Sequence, residues 1–334
     1  MRLDCFCYLY AVVLLLQVTK RIVASSKFRI KDMMHNLYRN IYRGLERELL
    51  ELADIIHIDD DQLKVYSTKI TELLIRTSVE IEAISKELYF REGGVKKGDG
   101  SDLYFDTDCL GLLESRWLLS EKIVAVSNPA LYLTKEENLM LKPLYKADKR
   151  GSSSSDWKKA YQAVKHDRSN SLKKGNLKNF IRALSALFLL NIYYKDTKIF
   201  LESNIDSFDS GLGSQVFSVL VHRFSSVDSS GIWRKEDSYD NSVYLVKATD
   251  QTGDKLVKGL KAINDDYWNR ALKQVKNELS SNITSNLQSE EQIRLRLQEA
   301  YNEAKKSPNH ELYAKHAEIA KLLQYEAVLN KQQY

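Results

Sequence analysis

The stretch Trp157 to Arg168, WKKAYQAVKHDR, holds the residue types best suited to chemistry in this sequence. Placed on a helix at 100° per residue, Lys159, Gln162 and His166 share one face, at spacings of three, four and seven. A cation, an amide and an imidazole on one outward face suit phosphodiester cleavage. The imidazole exchanges protons near neutral pH, and the cation offsets charge developing on the phosphorus. Trp157, Tyr161 and Val164 fall on the opposite stripe, which predicts a packing side extended by the stem of Arg168. The same residue types also populate ordinary solvated helix faces, so the spacing alone leaves both readings open.

Other chemistries find little support. No Walker loop, dinucleotide-binding glycine triad, paired-histidine zinc helix or nucleophile elbow is present. Gly211 to Ser214 is too short for a phosphate cradle. His310 and His316, six apart, point in different directions on a helix, and His35, His57 and His222 have no evident catalytic partner. Asp99, Asp102, Asp106 and Asp108 fail the spacing of a calcium loop, with no glutamate placed to close it. Cys5 and Cys7 lie close together and Cys109 stands alone, which excludes a disulfide scaffold and a four-thiolate zinc site. No metal and no cofactor are expected.

The elements that must position these residues follow from composition and periodicity. A chain of 334 residues is long enough for about two domains. Hydrophobic residues at 43% and charged residues at 28% give a globular balance, while only 13 Gly and 3 Pro imply long uninterrupted helices. The 50 basic and 45 acidic residues leave a net charge of +5, which permits nucleic-acid contact without requiring it. A mainly α fold is expected.

A first amphipathic helix runs from Met33 to Ile56, with Leu37, Ile41, Leu45, Leu49, Leu52 and Ile56 buried and Arg39, Arg43, Glu46 and Arg47 in water. Asp59 to Asp61 read as a cap for a second helix, Gln62 to Phe90, on which Arg76 and Glu80 can pair. Thr107 to Leu119 suggests a third, followed by short insertion strands at Lys122 to Val126 and Leu139 to Tyr145. The helix carrying His166 covers Asp156 to Arg168. The next, Asn176 to Phe200, is apolar nearly all round and belongs at the centre of a bundle. Strands are predicted at Gln215 to Phe224 and Ser242 to Thr249, and charged helices at Lys255 to Leu279, Glu290 to Lys306 and Asn309 to Lys331. Three regions result: an apolar N-terminal extension (1–32), a helical bundle (33–202) and a smaller α+β or helical C-terminal region (203–334).

The YxxVKHDR core preceded by Trp157, with NLKNFIRALSALFLLNIYY after it, resembles the HEPN superfamily of helical-bundle proteins (higher eukaryote and prokaryote nucleotide-binding domain). The upstream VEIEAISKEL is similar to the acidic E-x-E helix of bacterial members. The likeness spans about Asp60 to Phe200. It implies a HEPN-like helical bundle, a homodimer, RNA as ligand and an antitoxin or other protein partner. Active members are metal-independent endoribonucleases of toxin–antitoxin or phage-defence systems. Their motif is an Arg, four to six residues, then a His, usually with a polar residue just after the Arg. His166 matches the His, as general acid or base in attack by a ribose 2′-hydroxyl. Tyr161 stands at the Arg position for the shortest spacing, with Gln162 as the polar residue after it, and Lys159 at that for the longest. A Lys there keeps the charge and loses bidentate recognition of phosphate. Lys159 or Lys165 would hold the scissile phosphate, with Gln162 orienting it and Arg168 a further cation for RNA. Trp157, Tyr161 and Asp167 would support the helix and its end. The alternative is a non-catalytic binding or scaffold module for RNA, nucleotide or a protein partner.

The apolar run Cys5 to Val18 is short for a membrane span and fits a signal-peptide core, with Val23 to Ser26 as a cleavage site. Lys20 and Arg21 after the run argue against secretion. The other reading is an upstream extension of a cytoplasmic protein starting at Met33 or Met34. The cytoplasm is the expected compartment, membrane attachment is not expected, and export stays open.

Overall fold

The computed structural model describes residues 37–224, 235–280 and 289–334. The run Cys5 to Val18, Met33, Met34 and His35 lie outside them. The fold is mainly helical with small sheets, and its described residues form two compact units. Among them, no helix is long and apolar enough to cross a membrane.

The first unit comprises described residues up to Thr197, Gly211–Leu220 and Lys331–Tyr334. Its helices are α1 (37–55), α2 (Thr68–Arg91), α3 (Gly111–Trp117), α4 (Glu136–Leu139), α5 (Asp156–His166), α6 (Arg168–Ser171) and α7 (Leu177–Lys195). Two short strands, β1 (Ile58–Asp59) and β3 (Leu131–Tyr132), pair in parallel. β2 (Val124–Val126) lies between β4 (Met140–Leu141) and β6 (Phe217–Val219), antiparallel to both. The two expected insertion strands are therefore present and paired with each other.

α7 is the axis of this unit. Every residue from Ala183 to Tyr194 is buried, as an all-round apolar helix requires. Asn176 caps it by accepting from the Asn179 amide at 3.0 Å. It ends at Lys195, short of the expected Phe200, where Asp196 turns left-handed. α2 and α5 pack against α7 and against each other. Gly175 is dictated by a close approach, since a Cβ there would meet Thr71 Oγ1 of α2 at 2.0 Å.

Helix boundaries shift from expectation for local reasons. α2 starts at Thr68 rather than Gln62, because Ser67 accepts from the Ile70 amide at 3.2 Å. Asp59 instead closes a turn, accepting from the Asp61 and Gln62 amides. The third helix begins as a π-helical turn, Phe105–Leu110, before α3.

α1 also corrects the sequence reading. Its buried side carries Tyr38, Tyr42, Leu45, Glu46 and Leu49, while Leu37 is 50% exposed. Glu46, expected in water, is buried, and its Oε1 accepts from Tyr42 Oη (2.6 Å), Ser214 Oγ and the amides of Gln215 and Val216 (3.0 and 3.2 Å). That carboxylate holds the segment leading into β6. Glu87 of α2 acts similarly, accepting from Tyr38 Oη and Tyr194 Oη at 2.6 Å each. Burial and the Glu87 carboxylate push the Tyr194 hydroxyl up to about 12.

The second unit comprises Lys198–Ser210 and described residues of Val221–Asn330. Its sheet runs β5 (Ile199–Glu202), β9 (Tyr325–Leu329), β8 (Tyr244–Ala248), β7 (Val221–Arg223). β9 is antiparallel to both neighbours, and β7 is parallel to β8. The expected strand Gln215 to Phe224 is thus two strands, β6 and β7, one in each unit. α8 (Asp250–Ser280), α9 (Glu290–Lys306) and α10 (His310–Lys321) complete the unit. α8 packs on both α9 and α10 around Tyr267, Ala271 and Tyr301. The expected helix Asn309 to Lys331 stops at Lys321, and its remainder is β9.

Glu46 is a buried acceptor for several donors, so Glu46→Ala should cost about 3 kcal/mol of stability, with Glu46→Gln losing less. Urea unfolding followed by circular dichroism reads this as a lowered midpoint. An unchanged midpoint in the alanine variant would contradict the role given to Glu46.

Candidate functional site

α5 presents two different faces. Trp157, Lys158, Ala160, Tyr161 and Val164 are buried, while Lys159, Lys165 and His166 are exposed and Gln162 is half-buried. The predicted separation of Lys159, Gln162 and His166 from the packing stripe holds. Trp157 anchors the helix by donating from Nε1 to the Pro143 carbonyl at 2.8 Å. Arg168 departs from expectation. It is exposed at the start of α6, because the chain leaves the α5 path at Asp167, and so it adds nothing to the packing stripe.

The buried Lys158 is central to the local architecture. Its ammonium donates to Asp106 Oδ2 at 2.9 Å, to the Ala147 carbonyl at 3.0 Å and to the Lys149 carbonyl. All three protons are engaged, so Lys158 is a brace rather than a ligand-binding cation. Asp106, in the first turn of the π-helical segment, also accepts from Arg150 Nε (3.1 and 3.2 Å) and from the Thr107 amide (2.8 Å). Burial works to raise the Asp106 carboxyl. The Lys158 hydrogen bond and the Thr107 amide outweigh it and hold the carboxyl below its ordinary value.

Arg150 also stacks on Tyr104, its guanidinium 3.6 Å from the ring centroid, and Lys97 stands 4.3 Å from the same ring. Lys97 pairs with Asp108 at 2.8 Å. The acids that might have suggested calcium are thus engaged with cations at Asp106 and Asp108. Among the described residues, no group of three or more His, Cys, Asp or Glu side chains is placed to hold a metal ion.

Above this brace opens a cavity of about 530 Å³. α5 contributes Lys159 and Gln162, α2 contributes Glu82 and Lys86, and Tyr104 and Phe105 form an aromatic wall. Lys86 and Lys159 are exposed at its edge. Lys159 pairs with Asp156 at 2.9 Å, an exposed pair of small energetic weight. The cavity therefore combines an aromatic surface, an amide and exposed cations over a hydrogen-bonded ionic floor.

The remaining candidate residues divide clearly. His166 does not line the cavity, and among the described residues it makes no hydrogen bond or ion pair. Tyr161, at the Arg position for the shortest spacing, is buried and accepts from Lys165 Nζ at 3.1 Å. It is a wall of the bundle and cannot clamp a phosphate. Asp167 is exposed and accepts from Asn170 Nδ2 at 3.0 Å, bracing α6 rather than pairing with neighbouring cations. Of the histidines without evident partners, His222 is buried in the second unit, with Nδ1 3.3 Å from Ser238 Oγ.

Sequence reasoning missed the brace. One signal was available: Lys158 lies three residues before Tyr161, on the packing side, where an unpaired ammonium is costly and demands a carboxylate.

Lys158→Met would leave Asp106 buried with only Arg150 and the Thr107 amide as partners, at a cost of about 3–5 kcal/mol. The Asp106 contribution is fully present above the unfolded carboxyl value of about 4 and is lost as pH falls through the lower folded value. The gap in urea midpoint between wild type and Asp106→Asn should therefore narrow on acidification from pH about 7 to about 2. A constant gap would contradict the ion pair. The chain matches no protein family, no curated protein and no solved structure.

Proposed function

We propose that this protein is a HEPN-like binding module for RNA or nucleotide, and that the cavity between α2 and α5 is its ligand site. The observation that carries this reading is convergence. Lys159 and Gln162, singled out by spacing, meet Glu82 and Lys86 of α2 beside Tyr104 and Phe105. A nucleotide pairs a flat π-surface with a charged phosphate, and single-stranded nucleic acid is held by such aromatic and cationic groups. Lys86 and Lys159 would meet phosphate, Gln162 would hydrogen-bond a sugar or base edge, and the Tyr104–Phe105 wall would take the base. Lys165 and Arg168 lie further along α5 and α6, where they would extend the cationic track.

A second reading is supported by His166. A general acid or base needs an imidazole free to exchange its proton, and His166 is exposed with no partner among the described residues. Lys159 and His166 are separated by about 10 Å along the helix axis. Both side chains must lean toward Gln162 to reach one phosphate. On this reading the protein is a metal-independent endoribonuclease of a toxin or phage-defence system, with a second copy adding cations to the weak clamp.

One experiment separates the readings. Full-length wild type, Lys86→Glu/Lys159→Glu and His166→Ala are incubated with labelled single-stranded RNA in excess EDTA, and binding and fragment ends are measured. The binding module predicts RNA retention at moderate salt, lost by about tenfold or more in the charge-reversed protein and unchanged in His166→Ala. Cleavage leaving 2′,3′-cyclic phosphate ends, abolished by His166→Ala, would establish the nuclease instead. Equal RNA binding by wild type and the charge-reversed protein would refute the cavity as the site.

A further inference from the structure

A second cavity, of about 560 Å³, opens at the N-terminal end of α5, and among its charged lining residues cations outnumber acids. Ser155 occupies the N-cap position, where a serine hydroxyl ordinarily accepts from an amide of the first turn. Here it makes no such bond. The amides of Asp156, Trp157 and Lys158 find no acceptor among the described residues. Ser154 lines the cavity, is only 5% exposed, and its Oγ has no partner. The Ser155 Oγ is likewise buried and unpartnered. Buried hydroxyls and helix-end amides left unpaired are costly, so such a cluster calls for an acceptor.

Cations surround it. Lys146, Lys159 and Arg182 line the cavity, with Lys142, itself paired to Glu121 at 2.6 Å. The acids that face them are Glu137 and Asp156. Asp156 pairs with Lys159 at 2.9 Å and Arg182 at 3.8 Å, yet its side chain is 61% exposed. It can turn outward when a stronger anion arrives.

We propose that this cavity is a phosphate-binding site, in which the first-turn amides of α5 and the hydroxyls of Ser154 and Ser155 donate to the phosphate oxygens while Lys146, Lys159 and Arg182 neutralise them. Helix N-termini suit phosphate because amides and dipole act together. Ser154 and Lys159 line both cavities. A phosphodiester-linked ligand would therefore continue from the aromatic cavity into this one, with one phosphate at each. That continuation rests on the RNA-binding reading above, whereas phosphate binding at this site does not.

The test is titration of the full-length protein with inorganic phosphate, by calorimetry or amide NMR, beside a short single-stranded RNA. Saturable phosphate binding is expected, weakened about tenfold by Lys146→Gln/Arg182→Gln and by a smaller factor in Ser154→Ala. Asp156→Asn removes the internal competitor and should tighten binding severalfold, a gain that misfolding cannot mimic. Lys64→Gln changes an exposed lysine that lines neither cavity and should leave phosphate binding intact. No saturable binding in either wild type or Asp156→Asn, weaker binding in Asp156→Asn, or a loss in Lys64→Gln equal to that in Lys146→Gln/Arg182→Gln would each overturn the site. Phosphate bound as expected while RNA is ignored would uphold this site and defeat the RNA-binding reading.

Discussion

The pairing of Asp106 with Lys158 is the constraint on which the candidate site depends. An ammonium inside a helical bundle is tolerated only if each of its protons has a partner. One carboxylate and two loop carbonyls supply them. The start of the π-helical turn, the loop at Ala147 to Arg150 and the first turn of α5 are thereby fixed to one another. Tyr104 and Phe105 face the cavity because Asp106 follows them, and Arg150 lies over Tyr104 because it shares that same carboxylate.

Two other carboxylates, one buried at Glu46 and one half-buried at Glu87, use the same physics. An ionised carboxylate has only acceptors, so it can gather several donors from distant parts of the chain. Glu46 collects the segment Ser214 to Val216, and Glu87 joins tyrosines of α1 and α7. The apolar helix α7 is buried on every side from Ala183 to Tyr194, but apolar burial is non-directional. The carboxylates provide the register that apolar packing leaves loose. In the second unit Glu326 of β9 is the counterpart, buried against Lys247 of β8 at 3.1 Å and Lys198 at 2.7 Å.

Much of this was legible in the sequence where one physical rule dominates. The all-round apolar pattern of α7 means central burial, and the two-sided pattern of α5 sets Lys159, Gln162 and His166 apart from Trp157 and Tyr161. The failures arise where polar partners alter what can be buried. Tyr38 and Tyr42 bury fully because carboxylates satisfy their hydroxyls, which rotates the buried stripe of α1 away from Leu37 and carries Glu46 inward. β9, YEAVL, has a helix-favouring composition, yet strands on both sides draw it into the sheet. His166 illustrates a different limit, since spacing placed it on the exposed face of α5 and could not show that the cavity closes one turn short of it.

The position of β9 also sets an order of events during synthesis. It lies between β5 and β8, yet it follows α8, α9 and α10 in the chain. β5 therefore emerges from the ribosome long before the strand it will hydrogen-bond, and its exposed edge must wait through three helices. Contacts this distant in sequence form slowly, and unpaired edges are where nascent chains associate wrongly. The short length of β5, and Glu202 at the end of it, shield that edge during the wait.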